Sequence, residues 1–319
     1  MTKNLTFTQI SAVLNDNDKA RELLESLRWK DGVVCPHCEG TRIYTITPKE
    51  GSKTRKGLRK CGACRKQFTV TVGTIFEGSH ISLGKWLMAV HLICASKKGM
   101  SSKQLQRQLD LSYEAAWFMS HRIRYAMGKE PLVSKLRGTV EVDETFVGGK
   151  AKNMHRSEHK KRIAGRGAVD KAPVVTLVER DGRVQTRHME HITALNLKKA
   201  MRECIAPSAI VMTDEYPSYL GTNRNFADHQ VVCHSKGEYV RGLAHTNTAE
   251  SVHALLKRGV FGTYHHWSKK HLHRYLSEFD FRWNTRKMSD SERTFAALNS
   301  IGGKRLRYTD PKGTRKTRG

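Results

Sequence analysis

The sequence predicts a multidomain α/β protein, and three features of its 319 residues indicate this organisation. Two Cys-x-x-Cys pairs near the N-terminus are typical of a small metal-binding module. A stretch with helical periodicity follows them. From residue 138 onward, short β-rich runs alternate with amphipathic helical runs, which is the pattern of a mixed sheet covered by helices. At about 150 residues per domain, the length suits two domains or one large domain with appendages.

The charge balance indicates a polyanionic partner. The chain carries 57 Lys and Arg residues against 30 Asp and Glu residues, a net charge of +27. Nucleic acid is the first candidate for such an excess, and an anionic membrane surface is the second. We expect no transmembrane helix, because the sequence contains no apolar run of about 18 residues. We also expect no signal peptide, because the first residues lack an apolar core.

The N-terminal part predicts a helical leader over residues 1–30 and a zinc ribbon over residues 31–76. Asn17 or Asp18 can cap the leader helix. In the ribbon, two tight knuckles flank a hairpin, and a strand follows at 67–72. Each knuckle lets two thiolates reach one ion at about 2.3 Å. A redox dithiol would not need a second pair at this spacing, so we predict one structural Zn²⁺ bound by Cys35, Cys38, Cys61 and Cys64. Cysteines arranged for metal binding rather than as a disulfide framework are typical of a reducing cytoplasm.

Residues 79–130 predict helices that resemble a helix-turn-helix. An apolar helix over 83–96 precedes a short helix capped by Ser101 or Ser102. A turn at 110–112 then leads into a second helix over 113–127. Arg122 and Arg124 on that last helix are predicted to contact DNA. The alternative is a plain helical linker domain, which the pattern alone favours almost as much.

Residues 138–290 predict the largest unit, built around one sheet. The predicted strands are 139–147, 173–180, 184–188, 210–213 and 230–234, and Asp181-Gly182 marks a hairpin. Predicted helices follow Thr193, begin near Asn247, and cover 272–283. A polar insert at 150–171 predicts a mobile loop whose basic residues, among them Lys160, Lys161 and Arg162, contact phosphate. The chain is predicted to end in a basic tail over 291–319, which is disordered from residue 302 onward.

Three carboxylates in this unit suggest a divalent-metal site. Asp143 stands in the middle of a strand, where aspartate is disfavoured, and Asp214 ends another strand at its carboxyl edge. Glu250 opens a helix that carries Lys257 on the same face. Together they suggest a phosphoryl-transfer enzyme acting on nucleic acid. Two of them also have a plain structural alternative: Asp214 as a turn residue, and Glu250 as the N3 member of a capping box with Asn247 as N-cap. The adjoining Glu144 and Glu215 are predicted to point to the opposite face.

These motifs together resemble bacterial insertion-sequence transposases of the DDE type, from the branch with an N-terminal zinc ribbon. The resemblance covers nearly the whole chain. It rests on Cys35-Pro36-His37-Cys38, on Val142-Asp143-Glu144-Thr145-Phe146-Val147-Gly148-Gly149, on Thr213-Asp214-Glu215-Tyr216, on His245-Thr246-Asn247-Thr248-Ala249-Glu250, and on Lys257-Arg258-Gly259 leading to Gly262-Thr263-Tyr264-His265-His266. It implies an RNase H-like catalytic domain that binds two Mg²⁺ or Mn²⁺ ions through Asp143, Asp214 and Glu250. Lys257 and Arg258 would contact DNA, and Asn247 competes with Glu250 as third ligand.

The function expected from this resemblance is DNA transposition. The chain would bind double-stranded DNA at terminal inverted repeats, cleave it and transfer the cut strand to target DNA by in-line attack on phosphorus. We expect a homo-oligomer, dimer or higher, on DNA in the bacterial cytoplasm, associated with the nucleoid and with no membrane. Two alternatives are a catalytically inactive zinc-ribbon DNA-binding regulator and an RNase H-like nuclease that cuts without joining.

Overall fold

The chain forms two compact units in a computed structural model, which describes residues 7–128, 134–148 and 171–307. The first unit is Met1–Met127 with Met288–Gly319, and the second is Gly128–Lys287. The predicted mobile insert, with Lys160, Lys161 and Arg162, lies outside the described residues except for its last residue. The end of the predicted tail, from residue 308, also lies outside them.

The first unit opens with two helices and a small sheet. Helix α1 is Phe7–Leu14 and α2 is Asn17–Arg28. The N-cap of α2 is Asp16, one residue before the predicted position, because its carboxylate accepts hydrogen bonds from the amides of Asp18 and Lys19. Strands β1 (Ile43–Thr45), β2 (Arg59–Cys61) and β3 (Gln67–Phe68) form an antiparallel sheet in that order. This is the predicted ribbon.

Three further helices complete the predicted helical segment. Helix α3 is Leu83–Ala95, α4 is Ser102–Leu109 and α5 is Tyr113–Met127. Asp110 ends α4 in the left-handed conformation, with φ of 48°, and the short turn to α5 follows. The segment therefore has the helix, tight turn and helix that the sequence predicts.

The predicted basic tail over 291–319 begins with an ordered helix. Helix α9 (Asp290–Asn299) begins with a complete capping box between Ser289 and Glu292. Thr294 on this helix is 1% exposed and its hydroxyl lies 3.1 Å from His91 Nδ1 on α3. The sequence signals for this helix are the Ser289 and Glu292 capping pair and the apolar residues Ala297 and Leu298.

The second unit is built on a five-stranded mixed sheet. Its strands are β4 (Thr139–Val147), β5 (Ala172–Glu179), β6 (Val184–His188), β7 (Ile210–Thr213) and β8 (Asp228–Val231). The order is β6-β5-β4-β7-β8. Strand β4 pairs antiparallel with β5 and parallel with β7, and β8 is parallel to β7. Strand β8 begins two residues before the predicted one. This sheet agrees with the mixed sheet expected of an RNase H-like core.

Helices cover both faces of this sheet. Helix α6 (Ala194–Cys204), capped by Thr193, packs on one face with a core that includes Val140, Val142 and Leu177. Helices α7 (Asn247–Gly259) and α8 (Leu272–Asn284) pack on the other face. Gly259 permits their close approach, since a Cβ at that position would collide with the ring of Phe279. Among the described residues, no helix is both long and apolar enough to cross a membrane.

Candidate active site

Asp143 and Asp214 lie side by side because their strands are parallel neighbours. The register pairs Glu141 on β4 with Met212 on β7, and each aspartate follows two residues later. Within the described part of the chain, Asp143, Glu144 and Asp214 form an acidic group whose carboxylate oxygens lie within 4.8 Å of one another. The structure thus brings together the two aspartates that the sequence singled out.

Glu144 also joins this group, although the sequence predicts that its side chain points to the opposite face of β4 from Asp143. Strand β7 ends at Thr213, so the acidic group lies at the end of this strand. The Tyr219 hydroxyl donates a 2.7 Å hydrogen bond to Glu144 Oε1. Glu215 behaves differently: its carboxylate accepts from the amides of His234 and Ser235, each at 2.8 Å. Backbone amides, its own first, lower the pKa of Glu215 to about 2.

The acidic group is electrostatically unfavourable without a cation. Burial, with a smaller contribution from the charges of Asp214 and Glu250, raises the pKa of Asp143 to about 6. Burial also raises the pKa of Glu144 to about 7, with added repulsion from both aspartates. Three crowded carboxyl oxygens in a half-buried cleft match the hard oxygen ligands that Mg²⁺ or Mn²⁺ prefers. The residues present therefore fit a divalent ion.

Glu250 lies beside this group rather than within it. Its exposed side chain projects from the start of α7, and its negative charge acts on Asp143. The capping-box alternative is wrong: the N-cap of α7 is Thr246, so the N3 residue is Ala249 and Glu250 follows it. Asn247 is the first helical residue and is also exposed. Both predicted candidates for the third ligand are therefore exposed side chains in the first turn of α7.

Two residues at this site were not predicted from the sequence. His253 on α7 places Nδ1 3.5 Å from Asp143 Oδ2 and Nε2 3.0 Å from the Thr176 hydroxyl. Burial lowers the pKa of His253 to about 4, so the ring is neutral at pH 7. Its spacing of three residues from Glu250 on one helical face was the available signal. The second residue is Glu141, which is fully buried two positions before Asp143.

A groove of about 380 Å³ begins at Glu144 and carries basic side chains. Its lining includes Glu144, Lys171, Lys257 and the exposed aromatic ring of Phe261. Lys257 and the adjacent Arg258 are exposed on the last turn of α7. A cationic groove that opens next to clustered carboxylates is suited to a phosphodiester backbone.

Arg122 and Arg124 do not reach the surface in this structure. They are 3% and 1% exposed. Arg122 donates to the Glu77 carbonyl oxygen at 2.5 Å, and its guanidinium lies 5.3 Å from the centre of the Trp86 ring. Arg124 donates to the Ser120 hydroxyl at 2.9 Å. Both side chains are held inside the first unit, so they are not placed to contact DNA as the sequence predicted.

The four ribbon cysteines form a compact thiol cluster. Their sulfur atoms lie within 4.8 Å of one another, with Cys35 and Cys64 3.7 Å apart and Cys38 and Cys61 3.6 Å apart. A tetrahedron with metal–sulfur bonds of about 2.3 Å has edges of about 3.8 Å. The cluster therefore fits one zinc ion, and Phe68 packs beneath it.

Comparison with known proteins agrees with this geometry. Residues 135–284 match the model of the ISXO2-like transposase domain, and residues 15–67 match that of the transposase zinc-ribbon domain. The chain is also similar to a protein of Halobacterium salinarum described as an uncharacterized protein in transposable element ISH50. The two are 31% identical over 274 residues, which cover 83% of this chain and 90% of the relative. The chain belongs to the ISXO2-like transposase family. Its acidic group lies within the matched transposase domain, and its thiol cluster lies within the matched ribbon.

Proposed function

We propose that this ISXO2-like transposase binds the terminal inverted repeats of its element, cleaves DNA there and joins the cut end to target DNA. The observation that carries the proposal is the meeting of Asp143 and Asp214 at the carboxyl ends of parallel strands, with Glu250 near enough for its charge to raise the pKa of Asp143. Such a set of carboxylates is the arrangement on which phosphoryl transfer by two metal ions depends.

Asp143, Asp214 and Glu250 are the proposed catalytic metal ligands. When bound, Mg²⁺ or Mn²⁺ supplies Lewis-acid activation of the attacking oxygen and stabilisation of the leaving oxygen. Burial, and then the repulsion between carboxylates, raises the pKa of Asp143 and Glu144, and a cation would stabilise their charged forms, so the site favours a charged occupant. His253 contacts Asp143 on the side of α7 and orients that carboxylate. Glu144 is held by Tyr219 and adds negative charge to the group.

The proposed DNA interface combines the groove with the basic charge of the chain. Lys257 and Arg258 lie at the end of α7, two turns beyond Glu250, where they would hold phosphates next to the carboxylates. Lys160, Lys161 and Arg162 of the basic insert would add contacts to flanking DNA. The zinc ribbon and the two helices that follow it would recognise the element ends. Both ends must be joined to one target, so we propose that a homo-oligomer acts on DNA.

A strand-transfer assay separates this function from the two alternatives. The substrate is a labelled duplex containing the inverted repeats that flank the reading frame, offered with plasmid target DNA and Mg²⁺. We expect cleavage at the repeat end, followed by a joined product that contains label and plasmid. Cleavage without joining would indicate a nuclease. Specific binding without cleavage would indicate a DNA-binding regulator.

A further inference from the structure

Glu141 on β4 has an environment that differs from that of the neighbouring acidic group. Its side chain is 0% exposed. Oε2 accepts hydrogen bonds from the amides of Thr248 at 2.7 Å and Ala249 at 3.1 Å. Oε1 accepts from Arg180 Nε at 2.8 Å and from the Thr248 hydroxyl at 2.9 Å, and His245 Nδ1 lies 3.2 Å away. A strand carboxylate is thus bound by the first turn of a helix that lies more than 100 residues later in the chain.

The amides that Glu141 binds belong to the beginning of α7. The first four amides of any helix lack partners within the helix, and a carboxylate near them also interacts favourably with the helix dipole. Here the N-cap residue is Thr246, and the carboxylate comes from the sheet instead of from the helix itself. A helix capped in this way is attached at a fixed point to the strand that carries the cap.

Arg180 extends the same attachment to the chain before α7. Its Nη2 donates to the His245 carbonyl oxygen at 3.1 Å while its Nε is bound to Glu141. One turn further along α7, His253 contacts Asp143 and Thr176. Helix α7 is therefore fixed to the sheet at two successive turns, and Glu250 lies between them.

Metal ligation by Glu141 is an alternative that its position on the strand suggests. Glu141 and Asp143 share one face of β4, since side chains two residues apart point the same way. The hydrogen bonds above occupy both Glu141 oxygens, however, and the side chain is sealed from solvent. The Glu141 carboxylate therefore binds the amides of the first turn of α7.

We propose that Glu141 is a positioning residue, which fixes the first turn of α7 on β4 and thereby holds the Glu250 carboxylate toward Asp143. The inference rests on the proposed function only in taking Glu250 as a metal ligand. The attachment of α7 is itself independent of metal, so it is tested without metal first.

Amide hydrogen exchange of the metal-free chain tests the attachment. Glu141→Gln keeps the size of the side chain but places an amide NH₂ group against Arg180 or the helix amides. We expect exchange over residues 248–251 to be about 10- to 100-fold faster, because hydrogen bonds to a charged group are lost at that turn. Exchange in β5 and β7 should change by less than about threefold. Unchanged exchange over 248–251, or equal acceleration throughout the second unit, would overturn the proposal.

Glu179→Gln is the matched control. Glu179 is also a carboxylate on the same sheet, and it accepts from the backbone amides of Arg137 and Arg183. It contacts the β5–β6 turn instead of α7. This variant should accelerate exchange near that turn and leave residues 248–251 as in the parent chain. If Glu141→Gln fails to fold, Thr248→Val removes one donor to Glu141, and about threefold faster exchange at the same turn is expected. Unchanged exchange in Thr248→Val would then overturn the proposal.

Mn²⁺ affinity, measured by electron paramagnetic resonance, tests the link to Glu250. Glu141→Gln should weaken Mn²⁺ binding by about 10-fold, as expected when a group that orients a ligand is lost. In a Glu250→Gln background the same change should cost less than about twofold, because the two residues act as one unit. Additive effects would show that Glu141 acts separately and overturn the link. If Glu250→Gln alone leaves Mn²⁺ affinity unchanged, the proposed ligand is wrong, and the exchange result alone decides the attachment.

Discussion

Asp143 and Asp214 occupy equivalent positions on adjacent parallel strands, two residues beyond the paired Glu141 and Met212. One comes from the central strand of the sheet and the other from the end of a short strand more than 60 residues later. Their approach depends on the parallel β4–β7 pairing, which the α6 crossover makes possible. Burial and repulsion from neighbouring carboxylates raise the pKa of both groups. The consequence of this shift for stability can be measured.

Asp143→Asn is predicted to stabilise the metal-free protein in a pH-dependent way. The pKa of Asp143 is raised from 3.8 to about 6 in the fold. Between these values the folded state binds more protons than the unfolded state, so the free energy of unfolding of the parent falls as pH rises. The variant lacks this loss. Its advantage should grow from near zero at pH ~4 to a plateau of about 1–3 kcal/mol above pH ~6.

Urea denaturation with chelator at several pH values measures this difference. Asp228→Asn, at the start of β8 and two strands away from β4, is the control and should show no such rise. Added Mg²⁺ should stabilise the parent and leave Asp143→Asn almost unchanged, because ligand binding to the native state adds stability. A difference in unfolding free energy between the parent and Asp143→Asn that does not change with pH would contradict the raised pKa of Asp143.

Glu250→Gln is predicted to retain folding and DNA binding but to lose cleavage. Glu250 follows the N3 residue of α7 and does not close a capping box, so removal of its charge costs little stability. A neutral amide is a poor partner for a hard divalent cation, so cleavage and joining should fall by about 10³-fold or more. Asn247→Ala, at the first helical residue, is the comparison. If Glu250→Gln cleaves like the parent while Asn247→Ala is inactive, the third ligand is Asn247.

Cys61→Ser is predicted to release zinc and to abolish specific DNA binding. Thiolate ligation couples the metal to local folding, and Cys61 is fully buried beside Phe68 in the ribbon core. Elemental analysis should show loss of the zinc ion, while the thermal transition of the unit spanning 128–287 remains. Cys94→Ser, a buried thiol on α3 outside the cluster, should retain zinc. Full zinc occupancy in Cys61→Ser would contradict the assignment.

Lys257→Ala is predicted to weaken DNA binding equally for all sequences. Lys257 lines the groove next to Glu144, where it would contact phosphate and not base edges. Loss of one such contact should reduce the slope of log affinity against log salt by about 0.9. Lys199→Ala, exposed on α6 across the sheet, should leave the slope unchanged. A loss confined to terminal-repeat sequences would show that Lys257 reads bases.

Much of the fold follows from local signals in the sequence. The cysteine pairs, the Asp181-Gly182 turn and the alternation of β4 each specify their elements through short-range chemistry. The two aspartates could be identified because a carboxylate inside or at the end of an apolar strand is unusual.

Other features depend on contacts between distant segments, which a single sequence does not contain. Glu144 joins the acidic group beside the end of β7 at Thr213. Thr246 replaces Asn247 as N-cap because Glu141 on β4 binds the helix amides. Arg122 and Arg124 are basic residues on one helix, which predicted a DNA-binding face, yet the tertiary fold buries both side chains.

Single-turnover cleavage of labelled terminal-repeat DNA in Mg²⁺ tests the central claim most directly. The comparison is between the parent chain, Asp214→Asn and Asp228→Asn. Asp214 directly follows β7, and Asp228 begins the neighbouring parallel strand β8, so the two lie at opposite ends of these strands. The account predicts that Asp214→Asn binds the DNA normally and cleaves it about 10³-fold or more slowly, while Asp228→Asn cleaves within about threefold of the parent. Cleavage by Asp214→Asn at the parent rate would contradict the proposed metal site and the function built on it.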